Sequence, residues 1–216
     1  MSEIFPILAL ETSDKTCSVC LLLESNEFYI VETNQSHSHS EKLFEQIEII
    51  QQHSGIDLIQ IKSVAVSMGP GSFTGLRIGL SAAKGLVAGL KIPIIPVPTF
   101  EALAYQISSF LPDRTEFYIA NKANKDECYF AKFFVNGINY IFDGELKLIS
   151  QSELNTLEDC LIFGNLSKNL KTISAPSAEY VAKWASNFGI EKLLRDIDFL
   201  EPNYIKDFIV KETRND

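Results

Sequence analysis

The chain has 216 residues, 46% of them hydrophobic and 22% charged, with a formal net charge of −9. That length suits one large domain or two small lobes, each able to bury a core. The deficit of Lys and Arg argues against direct nucleic-acid binding. Every long apolar run is broken by Gly, Ser or Lys, which excludes a membrane-spanning helix.

The N-terminal MSEIFPILALETS lacks a basic segment and places Glu3 and Glu11 around its apolar run, so no signal peptide and a cytosolic location are expected. Residues 4–10 (IFPILAL) predict a buried strand. CSVCLLL at 17–23 and EFYIVET at 27–33 predict two more, joined by a short polar turn as in an antiparallel meander. Cys17 and Cys20 form a CxxC, yet positions three apart on a strand point to opposite faces and no second CxxC completes a metal site. They read as small buried hydrophobes, as free thiols do in a reducing compartment.

SHSEKLFEQIEIIQQHSG predicts a helix, with Ser38 and Glu41 at capping-box spacing and Gly55 as the stop. Leu43, Ile47 and Ile50 form its apolar stripe, flanked by Phe44. His37 and His39 sit in the Ser-rich segment around its start with no Cys or clustered acid beside them, so a surface role is expected of both. SVAVSM at 63–68 predicts a central strand. After the turn GPGSFTG comes a helix over 72–90, then a strand at 92–97 and a helix from about 99 to 110.

Beyond LPDR (111–114) the character changes. EFYIANK, ECYFAKFFV and INYIFDGELKLIS read as strands. A short helix after Ser150 or Ser152, the strand CLIFG at 160–164 and a helix over 178–189 follow. The expected division is a first lobe at 1–107, a smaller second lobe at 108–195, and a tail at 196–216 free to return to the first lobe. The order β-β-β-α-β-α-β-α in the first lobe matches the ribonuclease-H-like fold, the building block of the actin-like and sugar-kinase ATPases (ASKHA). The expected class is therefore α/β, two lobes with mixed sheets flanked by helices.

Two stretches carry candidate chemistry. Glu11, Thr12 and Ser13 end the first strand as an acid followed by hydroxyls, where an actin-like ATPase places magnesium and phosphate; they equally suit a strand-end acid with two turn residues. GPGSFTG lacks P-loop spacing and does not match G-x-G-x-x-G. Its Gly69, Gly71, Ser72 and Gly75 still offer backbone N–H groups at a helix start, with Ser72 as the N-cap. Arg77 adds charge there only if it faces the cleft. The fourth strand ends without an acid, which argues against a two-metal nuclease.

The helix at 72–90 carries Leu76, Leu80, Ala83 and Val87 as an apolar stripe, and Gly75, Gly79 and Ala83 stand four apart. Each interior glycine costs about 1 kcal/mol relative to alanine, so close backbone approach must offset it. Either this chain's own sheet or a second polypeptide can supply that approach. The second reading makes Leu43, Phe44, Ile47 and Ile50, with Leu76, Gly79, Leu80, Ala83 and Val87, a partner or dimer surface.

ILALETS, HSEKLFEQI and VSMGPGSFTGLRIGLSAAKGLVAGLKIPIIPVPTFEALA closely resemble the bacterial TsaB (YeaZ) family across about 5–105, more weakly beyond. The resemblance implies an actin-like fold and a non-catalytic partner of TsaD. TsaD transfers threonylcarbamoyl from threonylcarbamoyl-AMP to the N6 of adenosine 37 in tRNAs reading codons that begin with A. It further implies TsaE as a second partner, self-association when TsaD is absent, and tRNA contact only through the complex. Thr99 and Leu103 stand where the catalytic paralogue has its two metal-binding histidines, which removes that metal site. Glu11 replaces the family's usual aspartate and NKA at 121–123 replaces its D-A-R, so only weak ATP or ADP and magnesium binding is left open. A small-molecule kinase of the actin-like class is the alternative. A protease has neither metal ligands nor a nucleophile evident.

Overall fold

The structure, a computed structural model, describes residues 2–24, 27–34, 39–157, 159–166 and 173–203. His37, the Ser38 cap and the end of the tail, 204–216, lie outside the described residues. The first sheet contains β1 (Ile7–Glu11), β2 (Thr16–Leu22), β3 (Phe28–Asn34), β4 (Ser63–Ser67) and β5 (Ile94–Val97), in the order β3-β2-β1-β4-β5. β1 to β3 are antiparallel, whereas β4 and β5 run parallel to β1, as the ribonuclease-H-like pattern requires.

Every residue of β1 and β4 is buried, so these two strands have helices on both sides. α1 (His39–Ser54) and α2 (Phe73–Leu90) cover one face, closing over Leu8, Leu10, Val19, Leu21, Val64 and Val66. α3 (Thr99–Ser108) and α5 (Ala178–Phe188) cover the other through Ala102, Tyr105, Val181 and Trp184. Cys17 belongs to the first core and Cys20 to the second, each buried as a free thiol on its own side of β2.

The second sheet, β8-β7-β6-β9, is built from β6 (Glu116–Lys122), β7 (Glu127–Asn136), β8 (Asn139–Ser150) and β9 (Ile162–Phe163), with the four-residue α4 (Gln151–Leu154) after β8. Its inner face, Phe117, Ile119, Ala131 and Phe133, packs on Phe100, Leu103 and Ile107 of α3. α3 therefore serves both cores. Tyr140 of β8 ties the lobes further: its hydroxyl donates to Glu101 of α3 at 2.6 Å and accepts from the Trp184 indole of α5 at 2.8 Å.

The chain returns to the first lobe earlier than the expected boundary at 195. α5 buries Ala178, Val181, Trp184 and Ala185 against the first sheet, an apolar face that no polar lobe surface would satisfy. Leu194 then bridges to Ile94 of β5, Leu200 packs beside α2's core residues, and the Asn203 N–H donates to the Met68 carbonyl at 2.7 Å.

Candidate functional site

The first candidate is the crevice at the C-terminal ends of β1 and β4, where open α/β sheets collect ligands. Glu11 ends β1 and Ser67 ends β4, on neighbouring parallel strands. The Glu11 carboxylate is fully buried; the Ser13 N–H donates to it at 2.5 Å, and the hydroxyls of Ser13 and Ser67 donate as well. Burial pushes this carboxyl up to about 7, against the lowering effect of those bonds.

The neighbouring groups also spend their capacity inside the protein. Thr12 donates to the Gly75 carbonyl at 2.7 Å, tying the β1–β2 turn to the first turn of α2. Ser72 caps α2, its hydroxyl accepting from the Gly75 N–H at 3.2 Å, while its own N–H donates to the Ser13 carbonyl at 2.6 Å. The turn lies so close that a Cβ on Gly71 would stand 2.6 Å from the Ser13 carbonyl oxygen, and one on Gly75 would run into that of Thr12. Gly79 meets the Thr12 hydroxyl in the same way. Gly69 precedes a cis proline and exchanges two hydrogen bonds with Thr99.

A second closure crosses from the other lobe. Ser174 donates from its hydroxyl to Asp14 and accepts at its carbonyl from the Asn121 side chain at 2.6 Å. Asn121 in turn accepts from the Asn165 N–H at 2.9 Å, leaving it 6% exposed. Among the described residues no group of three His, Cys, Asp or Glu side chains could hold a metal ion. The residues that should meet magnesium and phosphate thus face one another, and they do not fit a bound nucleotide as they stand. Thr99 and Leu103, at the paralogue's histidine positions, serve the Gly69 turn and the buried core of the second lobe.

The second candidate is the outer side of α1 and α2, and here the expected residues need correction. Leu43, Ile47, Ile50, Leu76, Gly79, Leu80, Ala83 and Val87 are buried in this chain's own core, because the i, i+4, i+7 stripe is the face that the sheet claims. Only Phe44 of that set stands outward, 51% exposed. A groove of about 550 Å³ runs between the helices, lined by Phe44, Phe73, Arg77, Ile78, Ser81 and Ala82 among others. The Arg77 guanidinium lies 3.9 Å over the Phe73 ring, so it serves this groove and not the cleft. Further along α2, a Cβ on Gly85 or Gly89 would meet nothing within 4 Å among the described residues. Phe73, Arg77, Ser81 and Gly85 stand four apart, beside the buried stripe on the helix; that second row is the sequence signal for this face.

A family model described as "TsaD: tRNA N6-adenosine threonylcarbamoyltransferase" matches residues 30–143. TsaB of Haemophilus influenzae is 36% identical over 126 residues, 58% of this chain and 52% of that protein, so the match spans about half of that relative's length. TsaB of Buchnera aphidicola subsp. Schizaphis graminum is 32% identical over 159 residues, covering 74% of this chain and 73% of its own. The chain belongs to the TsaB family. YeaZ from Pseudomonas aeruginosa superposes with a TM-score of 0.75 at 20% identity, over 92% of this chain and 99% of that one. The architecture is accordingly that of YeaZ, two sheets flanked by helices with the strand order β3-β2-β1-β4-β5 in the first.

Proposed function

We propose that this TsaB-family chain is a non-catalytic partner subunit in the synthesis of N6-threonylcarbamoyladenosine on tRNA, working in the cytoplasm by docking TsaD. The reading rests on family membership together with one observation. The outer side of α1 and α2 presents a groove walled by Phe44 and Phe73, continued by glycines whose α-face is open to close approach. An interior helical glycine without a packing reason inside the chain costs stability, and a backbone arriving from outside would offset that cost. The same face would pair two copies when TsaD is absent, and TsaE would join the assembled pair. With a net charge of −9, tRNA is held by the other subunits. The kinase alternative needs a free catalytic acid and free phosphate donors. Glu11, Thr12 and Ser72 are instead engaged with one another's loops.

The test is co-purification of tagged chain with TsaD from co-expressing cells. Phe44→Glu and Gly85→Arg alter only outward positions, so each should leave the melting temperature within a few degrees and weaken TsaD capture at least tenfold. Substituting Leu80 or Ala83 would be uninformative, because those side chains hold the core. Undiminished capture by both outward variants overturns the docking face.

A further inference from the structure

We propose that the Glu11 carboxylate is the resident anion of a built oxyanion site, formed by the Ser13 N–H and the Ser13 and Ser67 hydroxyls, and that this side chain itself excludes small external oxyanions such as phosphate. The three donors converge from two elements, the β1–β2 turn and the end of β4, and all are buried. They belong to the crevice at the strand ends, where such donors ordinarily serve a ligand. Here a side chain two bonds longer at its base than a serine hydroxyl reaches across from β1 to Ser67 and takes that place. The closing contacts agree. Ser174 donates to Asp14 from the second lobe, Thr12 ties the turn to Gly75, and Glu11, Thr12, Ser13 and Ser67 are all buried.

A shorter residue at position 11 would leave Ser67 and the Ser13 N–H buried without their acceptor, an expensive state that an external anion can relieve. Glu11→Ala lacks a CH2–COO fragment, the size of acetate, while keeping a side chain compatible with the strand. In Glu11→Gln the same volume stays filled and a carbonyl oxygen still accepts.

The experiment is thermal unfolding of the isolated full chain at pH 8 in acetate, in inorganic phosphate and in chloride of matched ionic strength. Glu11→Ala should melt below the wild type and gain at least about 3 °C in acetate or phosphate over chloride, whereas wild type and Glu11→Gln should show no such difference. If Glu11→Ala does not fold in chloride, its refolding yield in acetate against chloride replaces the melt, with acetate expected to raise it severalfold. Equal responses of all three proteins, or a refolding yield that acetate leaves unchanged, overturn the proposal. So does saturable binding of inorganic phosphate or MgADP to the wild type in calorimetry. None of these readouts involves TsaD, so their failure leaves the docking face untouched, and loss of the docking face leaves them untouched.

Discussion

The two ends of α2, with the turn that leads into it, carry the same residue for opposite reasons. Gly71, Gly75 and Gly79 are needed because the Thr12–Ser13 turn lies where their side chains would be. Gly85 and Gly89, on the same helix, face open space among the described residues. Glycine spacing alone does not distinguish a helix that has accepted its own loop from one that awaits another backbone. The neighbouring atoms do, and they divide α2 into an end that is finished and an end that is not.

The largest expected difference between the two ends lies in a matched pair, Gly75→Val and Gly85→Val. The first drives two methyl groups into the Thr12 backbone, which cannot rotate away, and severs the tie between β1 and α2. It should cost about 3 kcal/mol or more, read as a lower urea midpoint with an unchanged slope. The second should move the midpoint by less than about 0.5 kcal/mol, since valine and glycine have similar, poor helix propensities and nothing stands nearby. Equal effects would erase the distinction between the two ends.

At the finished end, Glu11 makes a prediction of intermediate size. Its carboxyl titrates near pH 7 in the folded chain, against 4.5 for an unburdened glutamate, chiefly because burial disfavours the charge. A pKa raised by folding means that the folded state binds the extra proton. The associated stability is therefore fully present below about pH 4.5 and is lost as pH rises through 7. The wild type should lose on the order of 2–3 kcal/mol between those limits, and Glu11→Gln should remove that slope. Asp14 beside the carboxyl adds to the upward push, while burial with the Glu11 charge holds the Cys17 thiol up at about 11, outside this window. A wild-type profile as flat as that of Glu11→Gln would mean that the carboxyl is not sealed.

Much of this fold is legible in residue order. The three-strand meander, the buried SVAVS strand and the Ser72 cap all follow from local periodicity and turn chemistry; β1 begins three residues later than expected, at Ile7, and the others lie within a residue or two of their expected positions. The division of the lobes is less legible, because α5 is an ordinary amphipathic helix whose sequence does not name the sheet it covers. The site misled in a related way. Leu80 and Ala83 were identifiable as one apolar stripe, but periodicity reports that a face is buried and not what buries it. Ser67, Asp14 and Ser174 carry no motif. They matter only because folding brings positions 56 and 160 residues apart within hydrogen-bonding reach.

The smallest effect discriminates best between the two ends of α2, because its two readouts should move in opposite directions. Gly85→Ala adds one methyl group to the open end of α2, where it touches nothing, and removes the backbone entropy cost of glycine in a helix. The isolated chain should gain about 0.5–1 kcal/mol, visible as a melting temperature a few degrees higher. If that end exists to receive another backbone, the same methyl group holds the two apart, and affinity for TsaD should fall by severalfold although the chain itself is more stable. A variant that gains stability and keeps full affinity would show that the glycine serves neither packing nor docking. A variant that loses both would mean that α2 meets something within this chain at position 85, and the open end would then have to be assigned to the finished one.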